Sequence, residues 1–474
     1  MAADSPPTFP KARRRRTRLA LGCVGVLGII LSATVVVFAV WRARLRSEVN
    51  ARVAAIRAAG LPTIWEELSE WPTNVPDAEN AALIYTNAIA QIKSNSIPKT
   101  VFGGAQFQLP RRGEPLSDEV RGKLRSAIET NALALRAAYA AMHLSKSRYP
   151  VNYLDGPNAT LPHLSGLGDV MKLLEFDALL HGDAGDSAAA TKAVEASLAV
   201  ARSLDGEPVL ISQLRAVATL DVSCLSLERV LCRIPLNDDQ LRLLSGQLVA
   251  AEATNRFVAA LVGERASYME FLRLAQDDVR QMIEIANKGS QEEEKTELPS
   301  RNPGLGWRAL GFFERDRNFF LRAMETNLAV AATAPPASLA MTNEINRIVE
   351  QARDGYYILS GLFLPSFSRV AQRDAFLRAR LRVAITTLAV ERWRLAHKGA
   401  MPGSLNDLVP ALLPAVPLDP FDGQPLRFKK LARGYVVYSI GPDQQDDGGK
   451  ERPLNLGKLK PDQRQFDLTF TVER

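Results

Sequence analysis

Three regimes of hydrophobic patterning follow one another along the chain. Residues 19–40, LALGCVGVLGIILSATVVVFAV, are an apolar run of 22 residues without a charge. From about 48 to 360 the apolar positions recur every three or four residues, against a background rich in Ala, Leu, Arg and Glu. That spacing gathers them on one face of a helix. From about 368 a last long helical pattern gives way to short alternating stretches. The pattern predicts a mainly α protein: an N-terminal transmembrane helix, an irregular α-helical array, and a small C-terminal α+β module with a three-stranded antiparallel sheet.

The array is punctuated by turn residues. A helix running to His181 meets GDAGDS, and the next one places Val194, Leu198 and Ala201 on one face. DGEP at 205–208 stops it, and another long helix carries Cys224 and Cys232. Asn237 precedes a helix with Gln240 three residues on, the spacing of a capping box. Asp77 stands where it would cap the helix near ENAALIYTNAIAQI. Short turns between amphipathic helices make antiparallel neighbours, and the helix–GD–helix unit is weakly tetratricopeptide-like. No self-similarity recurs at the period of about 34 residues that a true tetratricopeptide array shows. The polar, Pro/Gly-bounded segment 287–304 reads as a mobile loop or hinge within a domain of 48–360.

As a helix, the apolar run spans about 33 Å, enough for a hydrocarbon core of about 30 Å. Trp41 follows at an interfacial position. Six basic residues precede the run and three follow it, which predicts a cytoplasmic tail (1–18), a signal anchor (19–41) and an exported remainder. A cleaved signal peptide has a shorter apolar core of about 7–15 residues. A buried core helix would not start with such a basic block. The net charge of +7 does not signal nucleic acid. Residues 1–46 hold nine Lys/Arg and one acidic residue, +8, leaving 50 basic and 51 acidic residues, −1, for the rest. No basic stripe interleaved with aromatics stands outside the anchor flank. Cys224 and Cys232, eight residues apart on one helix, lie about 12 Å apart, beyond disulfide reach.

Motifs for known chemistry are missing. The four histidines, His143, His163, His181 and His397, form no H-x-x-x-H or H-E-x-x-H pair. There is no G-x-S-x-G, P-loop or G-x-G-x-x-G. Glu264 and Arg265 read as a solvated or inter-helix ion pair. No catalytic residue, organic cofactor or small-molecule substrate emerges.

At the C-terminal end a helix covers about 370–398, Gly399 ends it, and Ser404 is placed to cap the short helix LNDLVPALL. Strands are predicted at 426–430, 435–440 and 466–472. Between the last two lies GPDQQDDGG, with Asp443, Asp446 and Asp447. The sequence motifs GAMPGSL (399–405), Leu413 to Pro417, Asp419-Pro420-Phe421 and Tyr438-Ser439-Ile440-Gly441-Pro442-Asp443 occur in that order. The module (368–474) thereby resembles, over about 80 residues, the C-terminal part of major (G-type) pseudopilins of bacterial type II secretion. The start of the chain departs from that family: no acidic residue interrupts 19–40, and more than 300 residues separate the apolar run from the matching helix. The resemblance implies a borrowed module. It also implies a calcium site in the acidic loop, with Asp443 as one ligand and Asp446 and Asp447 supplying the later carboxylate. A plain Asp/Gly turn, its carboxylates capping local N–H groups, is the other reading of the same residues.

The expectation is a single-pass protein of the bacterial cytoplasmic membrane, N-terminus inside and bulk outside, acting as a scaffold that binds a protein partner through its helical surface. An enzyme whose groups come from distant segments of the helical domain is the alternative, and an accessory part of a type II secretion-like assembly is a special case of the first.

Overall fold

The computed structural model describes residues 11–98, 109–277, 310–451 and 466–474, with residues 306 and 308. The expected hinge at 287–304 lies outside the described residues. The fold is mainly helical, with one three-stranded antiparallel sheet near the C-terminus.

The first helix, α1 (Lys11–Ala58), is one unbroken rod of 48 residues. The apolar run ends at Val40, but the helix continues past it, because residues 29–59 contain neither Gly nor Pro and nothing interrupts the hydrogen-bond ladder. Gly60 ends it at φ 71°, with Leu61 N bonded to Ile56 O and Gly60 N to Arg57 O. That is a Schellman stop, which requires a residue tolerant of the left-handed region. The two halves of α1 have opposite surroundings. Its apolar window has a mean hydropathy of 2.7 and none of it is buried. Val49 is buried, and Val53 and Ile56 pack on the main core.

The array comprises α2 (Trp65–Glu70), α3 (Ala81–Ala90), α4 (Asp118–Thr130), α5 (Ala132–Ala141), α6 (His163–Asp183), α7 (Ser187–Arg202), α8 (Leu210–Arg233), α9 (Asp238–Ala253), α10 (Arg256–Asp277), α11 (Phe312–Ala332), α12 (Ala337–Ala340), α13 (Thr342–Asp354) and α14 (Ile358–Phe363). Successive members α6, α7 and α8 pack on one another, as the short turns predict. The capping box of Asn237 and Gln240 is present. The expected cap Asp77 instead belongs to a 3-10 turn, and Asn80 caps α3, accepting from Ala82 N. Asn80 is held there because its side chain also bonds both backbone groups of Arg148. Helix α8 is also long and apolar enough to cross a membrane, yet most of its apolar window is buried in the core.

The long helix α15 (Val370–Ala396) leads into the sheet of β1 (Arg427–Lys430), β2 (Tyr435–Ser439) and β3 (Leu468–Val472), in the order β1-β2-β3. Between them LNDLVPALL forms only a 3-10 turn over Leu405–Leu408, where Ser404 and Asp407 make a capping box. One apolar core runs from α7 and α8 through α15 into the sheet, including Leu198, Leu227, Leu388, Tyr435 and Phe470. A second core, around Tyr85, Leu124, Leu167 and Phe176, joins α3 to α6.

The outer edge of β3 is closed by helices. Thr471 N donates to Glu228 Oε1 (2.6 Å), Arg380 Nη1 donates to Thr469 O (2.9 Å), and the Cys232 thiol donates to Thr471 O (3.2 Å). An open strand edge invites foreign pairing, and side chains from α8 and α15 remove it. The helices also cover the polar positions of the strand, so Thr469 and Thr471 are as buried as the apolar Leu468, Phe470 and Val472 with which they alternate. All three cysteines are unpaired, and burial pushes the Cys224 thiol up to about 12.

Glu264 and Arg265 do not pair with each other. Glu264 Oε1 accepts from Leu210 N (2.8 Å) at the start of α8, whereas Arg265 is buried and drawn toward Glu325. Burial pushes the Glu264 carboxyl up to about 7 against the lowering effect of that hydrogen bond. A carboxyl raised on folding contributes stability below its unfolded pKa and loses it as pH rises through the folded value. Urea titration of wild type and Glu264→Gln should therefore agree near pH 4. Above pH 7 the Gln variant should be more stable by about 1–2 kcal/mol, less than the full shift implies, because the side chain keeps partial contact with water. Parallel pH profiles would show that Glu264 titrates normally.

Candidate functional site: the acidic loop beside the sheet

The loop that follows β2 is shaped by carboxylates at every level. Asp419 lies beneath it, fully buried, in the DPFDG turn. Its Oδ1 accepts from Phe421 N (3.0 Å) and Ser439 Oγ (2.8 Å), and its Oδ2 from Ile440 N (2.9 Å) and Arg427 Nη1 (2.7 Å). Four donors on one carboxylate replace the water it lost, which makes its burial tolerable. Arg427 also pairs with Asp422 and lies 3.5 Å from Asp446 Oδ2.

The three loop aspartates have different environments. Asp443 is exposed, and its Oδ1 accepts from Gln445 N (3.3 Å). Asp446 is exposed, closes a second turn by accepting from Gly448 N (2.9 Å), and faces Arg427. Tyr438, under this loop, has its hydroxyl pushed up to about 12, by burial and then by Asp446. Asp447 is half-buried, and its Oδ2 is a buried oxygen without a hydrogen-bond donor. Glycines make the path feasible. Gly449 has φ 78°, and a Cβ there would come within 3.1 Å of Val436.

The residue that organises the loop was missed by sequence reasoning. Asp467, just before β3, is buried and accepts from Asp447 N (3.3 Å), Gly449 N (2.6 Å) and Lys450 N (3.2 Å). Its carboxyl is raised by burial, opposed by those N–H groups and supported by the charges of Asp446 and Asp447. Its only sequence signal is a lone acid at the mouth of a strand, 20 residues beyond the loop it serves.

The fit to calcium is partial. Asp447 offers an orphaned buried oxygen, the Asp467 carboxyl lies beside it with its pKa raised by burial and by Asp446 and Asp447, and Gly-rich backbone lets carbonyls turn inward. Against this, Asp446 is turned toward a guanidinium, and the Gly448 carbonyl accepts from Lys429 Nζ (3.0 Å). Among the described residues no group of three or more His, Cys, Asp or Glu stands close enough together to hold a metal, so an ion held by Asp447 would require the exposed Asp443 and Asp446 to turn toward it.

Two other polar places stand out. His163 Nε2 lies 2.8 Å from Glu207 Oε1, both side chains buried, with Tyr149 stacked on the imidazole at 4.1 Å. They are 44 residues apart in sequence, so no spacing rule reveals them, and they join α6 to the α7–α8 turn. A cavity of about 440 Å³ between α7 and α9 is lined by apolar residues together with Arg202, Asp205, Arg242, Gln247, Thr254 and Arg256. Its arginines are engaged by Asp205, Asp238 and backbone carbonyls, and no two carboxylates meet there.

The chain matches no known family model, curated protein or solved structure.

The partners of Asp419 make it the structural carboxylate and Asp443 a dispensable one. Asp419→Ala should cost about 3–5 kcal/mol by urea titration, because it leaves two buried backbone donors and the buried Ser439 hydroxyl unsatisfied and removes one partner of Arg427. Asp443→Ala should stay within about 0.5 kcal/mol. Equal losses would mean that the loop, rather than the buried turn, holds the sheet.

Proposed function

We propose that this chain is a single-pass, membrane-anchored scaffold of the bacterial envelope, with its body outside the cytoplasm and its helical surface serving protein partners. The observation that carries the reading is the two-faced α1. Its first half presents a wholly exposed apolar surface, and its second half is a core element of the body. Arg42 and Arg46 both reach Glu314 of α11, at 2.8 and 2.9 Å. These donors hold Glu314 below the usual carboxylate range in spite of its burial. A leader removed after export would not need to be continuous with the core. The basic bias of six residues before the apolar run and three after it supports an inward N-terminus.

Protease added to spheroplasts should digest the body and leave a membrane-protected N-terminal stub. A C-terminal domain that stays intact until the membrane is dissolved would reverse the topology. A mature chain starting after residue 40 would replace the anchor with a leader.

The pseudopilin-like module supports a second element of the proposal. Its acidic loop binds calcium, held by Asp447 with Asp443 and Asp446 as the outer carboxylates and Asp467 fixing the loop backbone. The ion supplies positive charge to a cluster whose members now repel one another. Extracytoplasmic calcium sites bind with Kd of about 10⁻⁴–10⁻³ M, so millimolar calcium adds about 1 kcal/mol. The full chain in detergent should melt about 1–2 °C higher in calcium than in chelator. Asp447→Asn should abolish the difference. Identical melting of the wild type in both, with no heat on calorimetric titration, would leave the loop as a solvated turn.

A further inference from the structure

Helix α14, packed against α11, carries apolar side chains that the described residues leave uncovered. Helix α14 is tied to α11 through Asp316, whose Oδ2 accepts from Leu359 N (2.9 Å) and Oδ1 from Ser360 N (3.0 Å). That contact buries Leu359 and Ser360 and turns the opposite side of the segment outward, leaving Ile358 52% and Leu362 57% exposed. Just before them Tyr356 is 79% exposed and has φ 54°. A bulky residue in the left-handed region is a costly conformation. Its neighbour Tyr357 is packed, stacked on Phe319 at 4.1 Å with Arg315 over its ring at 4.3 Å.

The height of this face is fixed by α1. Helices α1 and α11 run side by side and parallel, in a constant register. Gly311 sits against Trp41, Glu314 takes Arg42 and Arg46, Asn318 bonds Glu48, and Glu325 pairs with Arg52. Asp316 and Phe319 are therefore level with residues 46–49 of α1, about 7–12 Å beyond Trp41 along the axis. The headgroup layer outside the hydrocarbon is about 5–8 Å thick. Helix α14 packs on α11 and α11 on α1, which puts α14 up to about 20 Å sideways from α1. A tilt of about 20° toward that side, average in size for a membrane span, lowers a point that far out by about 7 Å.

We propose that the face formed by Tyr356, Ile358 and Leu362 is a second membrane contact, seated in the interfacial layer of the bilayer that residues 19–40 cross, and that it sets the tilt and rotation of the body. This rests on the anchor reading above. Tyrosine suits the headgroup level, Ile and Leu the acyl boundary, and the exposed Arg353 and Arg369 on either side suit anionic headgroups.

The full chain, carrying Cys23→Ser, is placed in nanodiscs of mixed zwitterionic and anionic lipid and spin-labelled at single introduced cysteines; Cys224 and Cys232 are buried. Val36→Cys reports the span. Leu133→Cys, 62% exposed on α5, reports water. Leu362→Cys reports the proposed contact. Collision with a water-soluble nickel chelate should be at least about threefold lower at 362 than at 133, and collision with oxygen higher, in the direction of position 36. A label at 362 that meets nickel as freely as the one at 133, or that is shielded from both reagents as under protein, overturns the proposal. If position 36 itself meets nickel, the anchor reading fails first, so the two failures are distinguishable.

Discussion

Arg380 is the charge on which the junction of helices and sheet depends. Its side chain, 12% exposed, lies 2.7 Å from Asp221 and donates to Thr469 O. Burial works against the charge, but Asp221, Glu228 and the Cys224 site hold the pKa above its usual value, so the guanidinium remains ionised. A buried charge is tolerated only when paired and hydrogen-bonded. Here the pairing partners come from α8 and the hydrogen-bond acceptor from β3. Separating the sheet from the array would expose the edge of β3 and leave Glu228 and Arg380 half-satisfied together. The contact therefore favours one docking geometry strongly over sliding alternatives. Glu228 extends the network outward through Arg112, which also pairs with Glu451 at 2.5 Å and ties the segment before α4 to the chain after the acidic loop.

Much of this was legible from periodicity. The turns at GDAGDS and DGEP, the box at Asn237 and Gln240, the long helix α15 and the three strands all declare themselves through local patterns. Local patterns fail where a distant residue takes over a local role. Asn80 displaced Asp77 as a cap because Arg148 fixes its amide. Glu264, read as a solvated or inter-helix ion-pair residue, instead caps α8, a helix that begins 54 residues earlier. Asp467 shapes a loop whose last residue, Gly449, lies 18 residues before it. Each is a polar side chain satisfying backbone N–H groups from elsewhere in the chain. Sequence reveals that such donors need partners without revealing which residue supplies them.

The acidic loop shows the same limit at the level of the site. The residues Asp443, Asp446 and Asp447 are adjacent in sequence, which made them look like one ligand set. The structure gives them three surroundings: open solvent, a guanidinium, and a buried pocket beside Asp467. Proximity along the chain sets the local charge density, whereas backbone direction decides which carboxylates converge. Positive φ at Gln444 separates Asp443 from the other two, and the positive-φ pair Gly448 and Gly449 turns the chain immediately after Asp447.

The continuity of α1 gives the proposed anchor a mechanical character. A flexible linker after Trp41 would let the body sample all orientations above the bilayer. A helix instead transmits direction, and α11 is locked to it at four levels between Gly311 and Glu325. The charges in that seam are well placed for the task. Glu314 is buried under two arginines, so breaking it costs more than an exposed pair would, while Arg52 and Glu325 sit farther out and are screened. The rigid joint lies nearest Trp41, where a change of angle would move the distal helices most. A body held this way keeps one orientation relative to the apolar half of α1, because the seam fixes both the angle between the two helices and their register.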